Sequence, residues 1–146
     1  MIKFLPVKDA PKDTILPRRS TAGSAGYDFF SPVDCVIPVG GCSGLISLNV
    51  KIIMPRRLCL QLRSRSGMAV KHGVVLECGG LIDSDYANNL YNDGNIGIKL
   101  RNNGTKPYRI HKGDRICQGV LEAYYCTDDD IAEEERRGGY GSTGQR

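Results

Sequence analysis

A chain of 146 residues with a formal net charge of +4 and 40% hydrophobic residues has the size of one ordinary domain and is too apolar to be disordered throughout. Its 18 Gly and 7 Pro make roughly a sixth of the chain, against about 12% in average proteins, and indicate short elements and tight turns rather than long helices. No apolar run approaches the roughly 18 residues of a membrane span, and the start Met1-Ile2-Lys3-Phe4-Leu5-Pro6 meets a proline before a signal-peptide core can form. The expectation is a soluble intracellular protein, cytoplasmic or nuclear, with no membrane partner.

In chain order, Val36 and Leu45–Leu48 read as short strands around the turn signal Pro38-Val39-Gly40-Gly41, and Val50–Ile53 follows. After Pro55-Arg56-Arg57, Leu58, Leu60 and Leu62 alternate with Cys59, Gln61 and Arg63, the period of a half-buried strand. A short helix is expected near Ser66–Lys71, then a strand at Val74–Leu76. The turn Asn92-Asp93-Gly94 precedes a second alternation, Ile96, Ile98 and Leu100 against Gly97, Lys99 and Arg101. Turns at Asn102-Asn103-Gly104 and Lys112-Gly113-Asp114 lead to a last strand at Ile116–Ala123. No helical period is sustained elsewhere and no repeat is present. Many short strands at this spacing predict an all-β sandwich, barrel or jelly roll.

Beyond Ala123 the character changes. Asp128-Asp129-Asp130 and Glu133-Glu134-Glu135 form an acidic block ahead of a Gly-rich end, a segment with little to bury and expected to be mobile. The predicted division is a domain over 1–126 and a C-terminal arm over 127–146. Residues 1–126 hold 17 Lys/Arg against 10 Asp/Glu, whereas 127–146 hold 3 against 6. A basic body suits an anionic ligand. With no Trp and no basic run interleaved with aromatics, no nucleic-acid partner is expected.

Cys35, Cys42, Cys59, Cys78, Cys117 and Cys126 form no C-x-x-C, and neither His72 nor His111 lies near them, which argues against zinc. Cys59 and Cys117 sit in apolar runs and read as small core hydrophobes. Gly139 to Gly144 matches G-x-G-x-x-G literally, but only two residues follow, so no helix can dock a dinucleotide. Three clusters do suggest chemistry. Arg63-Ser64-Arg65-Ser66-Gly67 can offer guanidiniums, hydroxyls and backbone N–H groups to phosphate oxygens. Asp83-Ser84-Asp85-Tyr86, after Gly79-Gly80, places two carboxylates beside an aromatic ring. Gly113-Asp114-Arg115-Ile116-Cys117-Gln118 opens a strand with an acid, a base and an amide.

The order of these clusters resembles the homotrimeric deoxyuridine triphosphate nucleotidohydrolases, the dUTPases. Five blocks stand in that family's order: 25–29 (Ala-Gly-Tyr-Asp-Phe), 65–69 (Arg-Ser-Gly-Met-Ala), 80–86 (Gly-Leu-Ile-Asp-Ser-Asp-Tyr), 113–118 and 138–144 (Gly-Gly-Tyr-Gly-Ser-Thr-Gly). The resemblance implies a distorted jelly roll of the β-clip kind, a homotrimer with sites at subunit interfaces, and a flexible arm that carries a Gly-rich lid. It implies hydrolysis of dUTP to dUMP and pyrophosphate with Mg²⁺ as cofactor. In that pattern Asp83 would be the general base that activates water for attack on the α-phosphorus. Tyr86 would stack on the deoxyribose and exclude a 2′-hydroxyl. Arg65, Ser66 and Gln118 would hold the phosphates, with Gly67 giving backbone approach. Backbone around 79–81, with Gly80 and Ile82, would read the uracil. Tyr140 and Gly141 would cap the base, and Ser142 and Thr143 would close on the γ-phosphate. Asp28 would hold Mg²⁺ through water, Asp114 would orient the arginine of the phosphate site, and Ser84 would support it.

The chain departs from the family pattern at four places. Tyr140 replaces a Phe, and Ser64 stands where a Pro usually does, giving up rigidity. The tail arginine's place falls on Glu135, with Arg136 or Arg137 one or two residues on. Ala87-Asn88-Asn89-Leu90-Tyr91-Asn92 intervenes after Tyr86, an insertion that either disturbs the site or lies on the surface. These departures leave a rival reading, an idle relative that binds nucleotide or a partner without turnover. A deoxycytidine triphosphate deaminase on a related fold fits the Leu-Ile-Asp-Ser-Asp-Tyr run less well.

Overall fold

The computed structural model describes residues 1–78, 80–133, 136 and 139. Among them lie β1 (Lys3–Pro6), β2 (Tyr27–Phe30), β3 (Cys35–Ile37), β4 (Cys42–Ser47), β5 (Val50–Ile53), β6 (Leu58–Arg63), α1 (Ser66–His72), β7 (Val74–Cys78), β8 (Leu81–Ile82), β9 (Gly97–Asn102), β10 (Tyr108–Ile110) and β11 (Arg115–Ala123). The strands pair antiparallel in four small sheets, ordered β1-β5, β10-β3, β2-β11-β6-β8 and β4-β9-β7. Most neighbours are distant in sequence, so the chain crosses repeatedly between sheets, as an all-β jelly-roll-like fold requires.

The two predicted alternations build the core. Ile96, Ile98 and Leu100 point inward and are essentially inaccessible, while Lys99 and Arg101 point out. There Glu77, on the neighbouring β7, pairs with both cations, and the two partners hold its carboxyl below the usual carboxylate range. Leu60 and Leu62 on β6 join the same core, with Phe29, Ile37, Ile110 and Ile116. Cys59 and Cys117 are buried and all six cysteines are free. Burial pushes the Cys117 thiol far up, as befits an inert core sulfur.

On β11, Ile116 and Cys117 are consecutive yet both buried. Strict alternation would send them to opposite faces; the register shift between Arg115 and Cys117 against β2 marks an irregularity at this point of the strand. Gly119 follows on the same strand, where a Cβ would lie 2.9 Å from both Leu60 and Phe29. Only glycine lets β11 settle between its two neighbours.

The strands at β1, β2, β8 and β10 were not apparent in the sequence. Each is two to four residues long, too short for a period to show, and β1 ends on a proline. The helix falls where expected and stops at Gly73, whose φ of 69° is the left-handed cap and whose N–H bonds the Ala69 carbonyl.

Asn102 is the fully buried polar side chain of this core. Its Nδ2 donates to Ile37 O at 3.0 Å and Lys106 O at 2.8 Å, and its Oδ1 accepts from Gly104 N at 2.9 Å. One amide thus closes the β9–β10 turn and ties it to β3. Asn102→Ala leaves three backbone groups without their partner, the buried Ile37 carbonyl among them, and is expected to cost about 3 kcal/mol in urea unfolding. The exposed neighbour Asn103→Ala is expected to stay within about 0.5 kcal/mol of wild type.

Candidate functional site

Two of the three chemistry-bearing clusters, at 63–67 and 113–118, converge with Asp28 because their strands are neighbours. In the β2-β11-β6-β8 sheet, Gln118 stands opposite Asp28 on one side and Arg63 on the other. Two residues beyond Arg63 come Arg65 and Ser66, at the mouth of α1. Leu81 and Ile82 pair with Gln61 and Leu60 on the far side of β6, which places Asp83 just off the sheet's other edge.

Ser20, Ser24, Gly26, Asp28, Arg65, Ser66, Arg115 and Gln118 line one open recess of about 230 Å³. Asp28, nearly inaccessible, accepts from Ser20 Oγ at 2.5 Å. Arg65 Nε lies 3.4 Å from Asp28 Oδ1, and Arg115 Nη1 lies 3.4 Å from Oδ2. Arg65 Nη1 also donates to Arg115 O at 3.0 Å. Two guanidiniums around one carboxylate leave an excess of positive charge, held in place before any ligand arrives. Such a preset arrangement suits polyphosphate oxygens.

Gln118 is aimed by its surroundings. Its Nε2 donates to Ser64 O at 3.3 Å, and a Cβ on Gly26 would come within 2.7 Å of its Oε1. Ser64, expected to loosen this turn, instead accepts from Leu76 N at 2.9 Å through its hydroxyl. The rigidity a proline ring would supply comes from two hydrogen bonds. At Gly67 the Cβ direction is open space.

The Asp114 carboxylate accepts from His111 N at 2.8 Å and closes the turn before β11, and the carboxylate beside Arg65 and Arg115 in this chain is that of Asp28. Ser20, Ser24, Gly26 and Arg115 are the recess residues that sequence reasoning left without a role. Arg115 lay inside a block already singled out; the serines carry no pattern that would have found them.

Asp83 and Tyr86 form a second group, outside the lining of the recess. The Asp83 carbonyl accepts from Tyr86 N at 3.1 Å, making the turn after β8. Gly80, with a φ of 109°, gives its carbonyl to Leu62 N at 2.9 Å, and Ile82 and Ser84 are half-buried. The tail reaches this turn through Arg136, which bonds Asp85 Oδ1 at 2.8 Å and pairs with Asp83. Burial opposes the charge on Arg136, but the two carboxylates outweigh it and raise its pKa above the ordinary arginine value. At Gly139 a Cβ would sit 2.6 Å from the Tyr86 ring, so the tail backbone lies against that ring. Gly79, Tyr140, Gly141, Ser142 and Thr143 lie outside the described residues.

The insertion after Tyr86 is folded rather than disruptive. Gly94, with a φ of 81°, closes its neck; a Cβ there would fall 2.6 Å from Ala87 Cα. Lys51 reaches across from β5 to Asn88 and Asp93 at 2.7 Å. No group of three or more His, Cys, Asp or Glu that could cage a metal occurs among the described residues, and no helix among them is long and apolar enough to cross a membrane.

The dUTPase family model matches residues 12–144. A deoxyuridine 5′-triphosphate nucleotidohydrolase from Eremothecium gossypii is 36% identical over 96% of this chain and 90% of its own. One from Treponema denticola is 38% identical over 89% and 91%. The crystal structure of dUTPase from Streptococcus mutans superposes with a TM-score of 0.77 at 32% identity, covering 86% of this chain and 98% of that one. With the family's blocks on adjacent strands and relatives alike along nearly their whole length, this chain belongs to the dUTPase family.

Proposed function

We propose that this protein hydrolyses dUTP to dUMP and pyrophosphate. The observation that carries the reading is the recess, where Arg65 and Arg115 flank Asp28 and Gln118 is aimed beside them. Phosphoryl transfer depends on placing a polyanion and neutralising its charge more than on covalent help from the protein. Arg65, Ser66 and Gln118 hold the phosphate chain, with Arg115 adding charge and Gly67 leaving backbone room. Asp83 takes a proton from the attacking water as its oxygen bonds to the α-phosphorus; the bond to the bridging oxygen breaks, and pyrophosphate leaves. Tyr86 offers a ring face to the deoxyribose, and backbone near Gly80 and Ile82 reads the uracil edge.

Asp28 is the one carboxylate among the described lining residues, which fits a Mg²⁺ that keeps most of its water and rides on the phosphates. Asp28 would hold such an ion through water. When bound, Mg²⁺ neutralises phosphate charge and keeps the chain of phosphates in one geometry.

A working site joins the recess of one subunit to the Asp83–Tyr86 turn of another, in a homotrimer. Two features support this. Asp83 and Tyr86 do not line the recess of their own chain. Val33, Val36, Val39 and Leu45 around β3 and β4 are each about half exposed, an apolar surface suited to burial between subunits. The arm beyond 126 closes over the nucleotide through Tyr140, Gly141, Ser142 and Thr143, with Arg136 as its arginine.

Incubation with Mg²⁺ and dUTP, dCTP, dTTP or UTP, following both pyrophosphate and ammonia, tests the activity. Pyrophosphate from dUTP alone is expected; dUTP binding with no turnover would overturn the reading in favour of an idle relative. Asp83→Asn is expected to lower kcat by about 10²- to 10⁴-fold while dUTP still binds. Chelation of Mg²⁺ is expected to depress turnover reversibly. Ending the chain at Glu135 is expected to abolish turnover and leave the trimer intact by light scattering. An undiminished kcat/KM would remove the arm from the mechanism.

A further inference from the structure

The inserted loop makes a contact that the family's motifs do not account for. Tyr86 is buried, and its Oη donates to Asn95 O at 3.1 Å. Asn92, inside the insertion, donates through Nδ2 to that same Oη at 2.8 Å and to Asn95 O at 3.3 Å. The phenol oxygen, the Asn92 amide nitrogen and the Asn95 carbonyl oxygen thereby form one closed triangle, the phenol's proton committed to the carbonyl and a lone pair to the amide.

Asn92 is itself fixed. Its Oδ1 accepts from Gly94 N at 3.1 Å and from Asn89 Nδ2 at 2.8 Å. Asn89, also buried, bonds the Tyr86 carbonyl at 2.8 Å and takes the N–H groups of Tyr91 and Asn92 on its Oδ1. The loop's base is anchored separately, by Lys51 on Asn88 and Asp93 and by Lys8 N on Asp93 at 2.7 Å. The insertion is thus a small folded unit with one amide pointed at the Tyr86 hydroxyl, while Leu90 and Tyr91 at its tip face solvent.

We infer that Asn92 is a positioning residue that clamps the Tyr86 ring and so sharpens discrimination between deoxyribo- and ribonucleotides. A ring that excludes a 2′-hydroxyl does so only while it cannot retreat. A side chain is held in place for such a task by the hydrogen bonds behind it. Because the hydroxyl is already occupied, the ring meets the sugar with its apolar face alone, and nothing polar is left to welcome an added oxygen. The inference rests on the proposed stacking role of Tyr86.

The experiment compares kcat and KM for dUTP and UTP in wild type, Asn92→Ala, Tyr86→Phe and the double variant. Asn92→Ala is expected to reduce the dUTP-over-UTP ratio of kcat/KM by about three- to tenfold, the value of one such hydrogen bond. The change is expected as a gain in kcat/KM for UTP, with kcat for dUTP little changed. Tyr86→Phe is expected to do the same, and the double variant no worse than Tyr86→Phe, because both remove one interaction. Additive losses, or an unchanged ratio in Asn92→Ala, would overturn the inference. Asn92→Asp keeps the acceptor toward Gly94 and Asn89 but turns an oxygen on the Asn95 carbonyl; it too is expected to lose discrimination, and a wild-type ratio there would count against the clamp. Leu90→Ala, at the exposed tip, is expected to match wild type, and a loss of discrimination there would assign the effect to the loop as a whole. Tyr86→Ala separates the two claims: if discrimination survives it, the stacking role falls, whereas if it collapses while Asn92→Ala is silent, only the clamp falls.

Discussion

The pairing of β11 with β2 on one edge and β6 on the other is the constraint on which the site depends. It sets Gln118 opposite both Asp28 and Arg63 and so draws three sequence-distant blocks into one recess. The pairing is possible because Gly119 has no side chain to hold Leu60 and Phe29 apart, and two consecutive residues lie buried at the irregularity before Cys117. Packing and chemistry share a strand here. Substitutions that pry β11 from the core would disperse the arginines and the amide together.

The recess is polar, yet its charges are not loose. Asp28 is desolvated, and a buried carboxylate without partners is costly; a serine hydroxyl and two guanidiniums compensate it. The same contacts stop the arginines from roaming over the surface, where long side chains would sacrifice entropy on binding. A ligand with several negative oxygens can therefore meet groups that are already ordered. The cost of that order is met during folding rather than at each encounter, which is the sense in which the site is preorganised.

Much of this was legible in the sequence, and the boundary follows physical lines. The alternations at 58–63 and 96–101 show because Leu60, Leu62, Ile96, Ile98 and Leu100 face the core while Gln61, Arg63, Lys99 and Arg101 keep some access to solvent. The helix at α1 shows because Gly73 ends it. The strands β1, β2, β8 and β10 do not show, since pieces of two to four residues carry too few alternations and owe their form to partners elsewhere in the chain. At the site, Arg65, Ser66 and Gln118 stood out by residue type near turns. Ser20 and Ser24 did not, as serine in a loop is everywhere. Asp114 shows a different limit: the sequence places an acid at the mouth of β11 but does not show that its carboxylate turns back to the His111 amide.

The insertion after Tyr86 shows how a fold absorbs extra chain beside a functional residue. A loop's closure entropy grows only slowly with length, so the danger lies less in its size than in what its first and last residues do to the strands they join. Here the neck is shut by Gly94 against Ala87, so the chain leaves the loop beside the point where it entered. Left-handed backbone at Asn88 and Asp93, residue types that tolerate it well, lets the excursion fold back on itself. Asn89 and Asn92 then supply side-chain partners to the loop's own backbone. Because such a network satisfies its groups only in one arrangement, it is stiff, and the stiffness is passed to whatever it touches. The residue it touches is Tyr86, so the added chain reinforces the turn that carries Asp83 instead of loosening it.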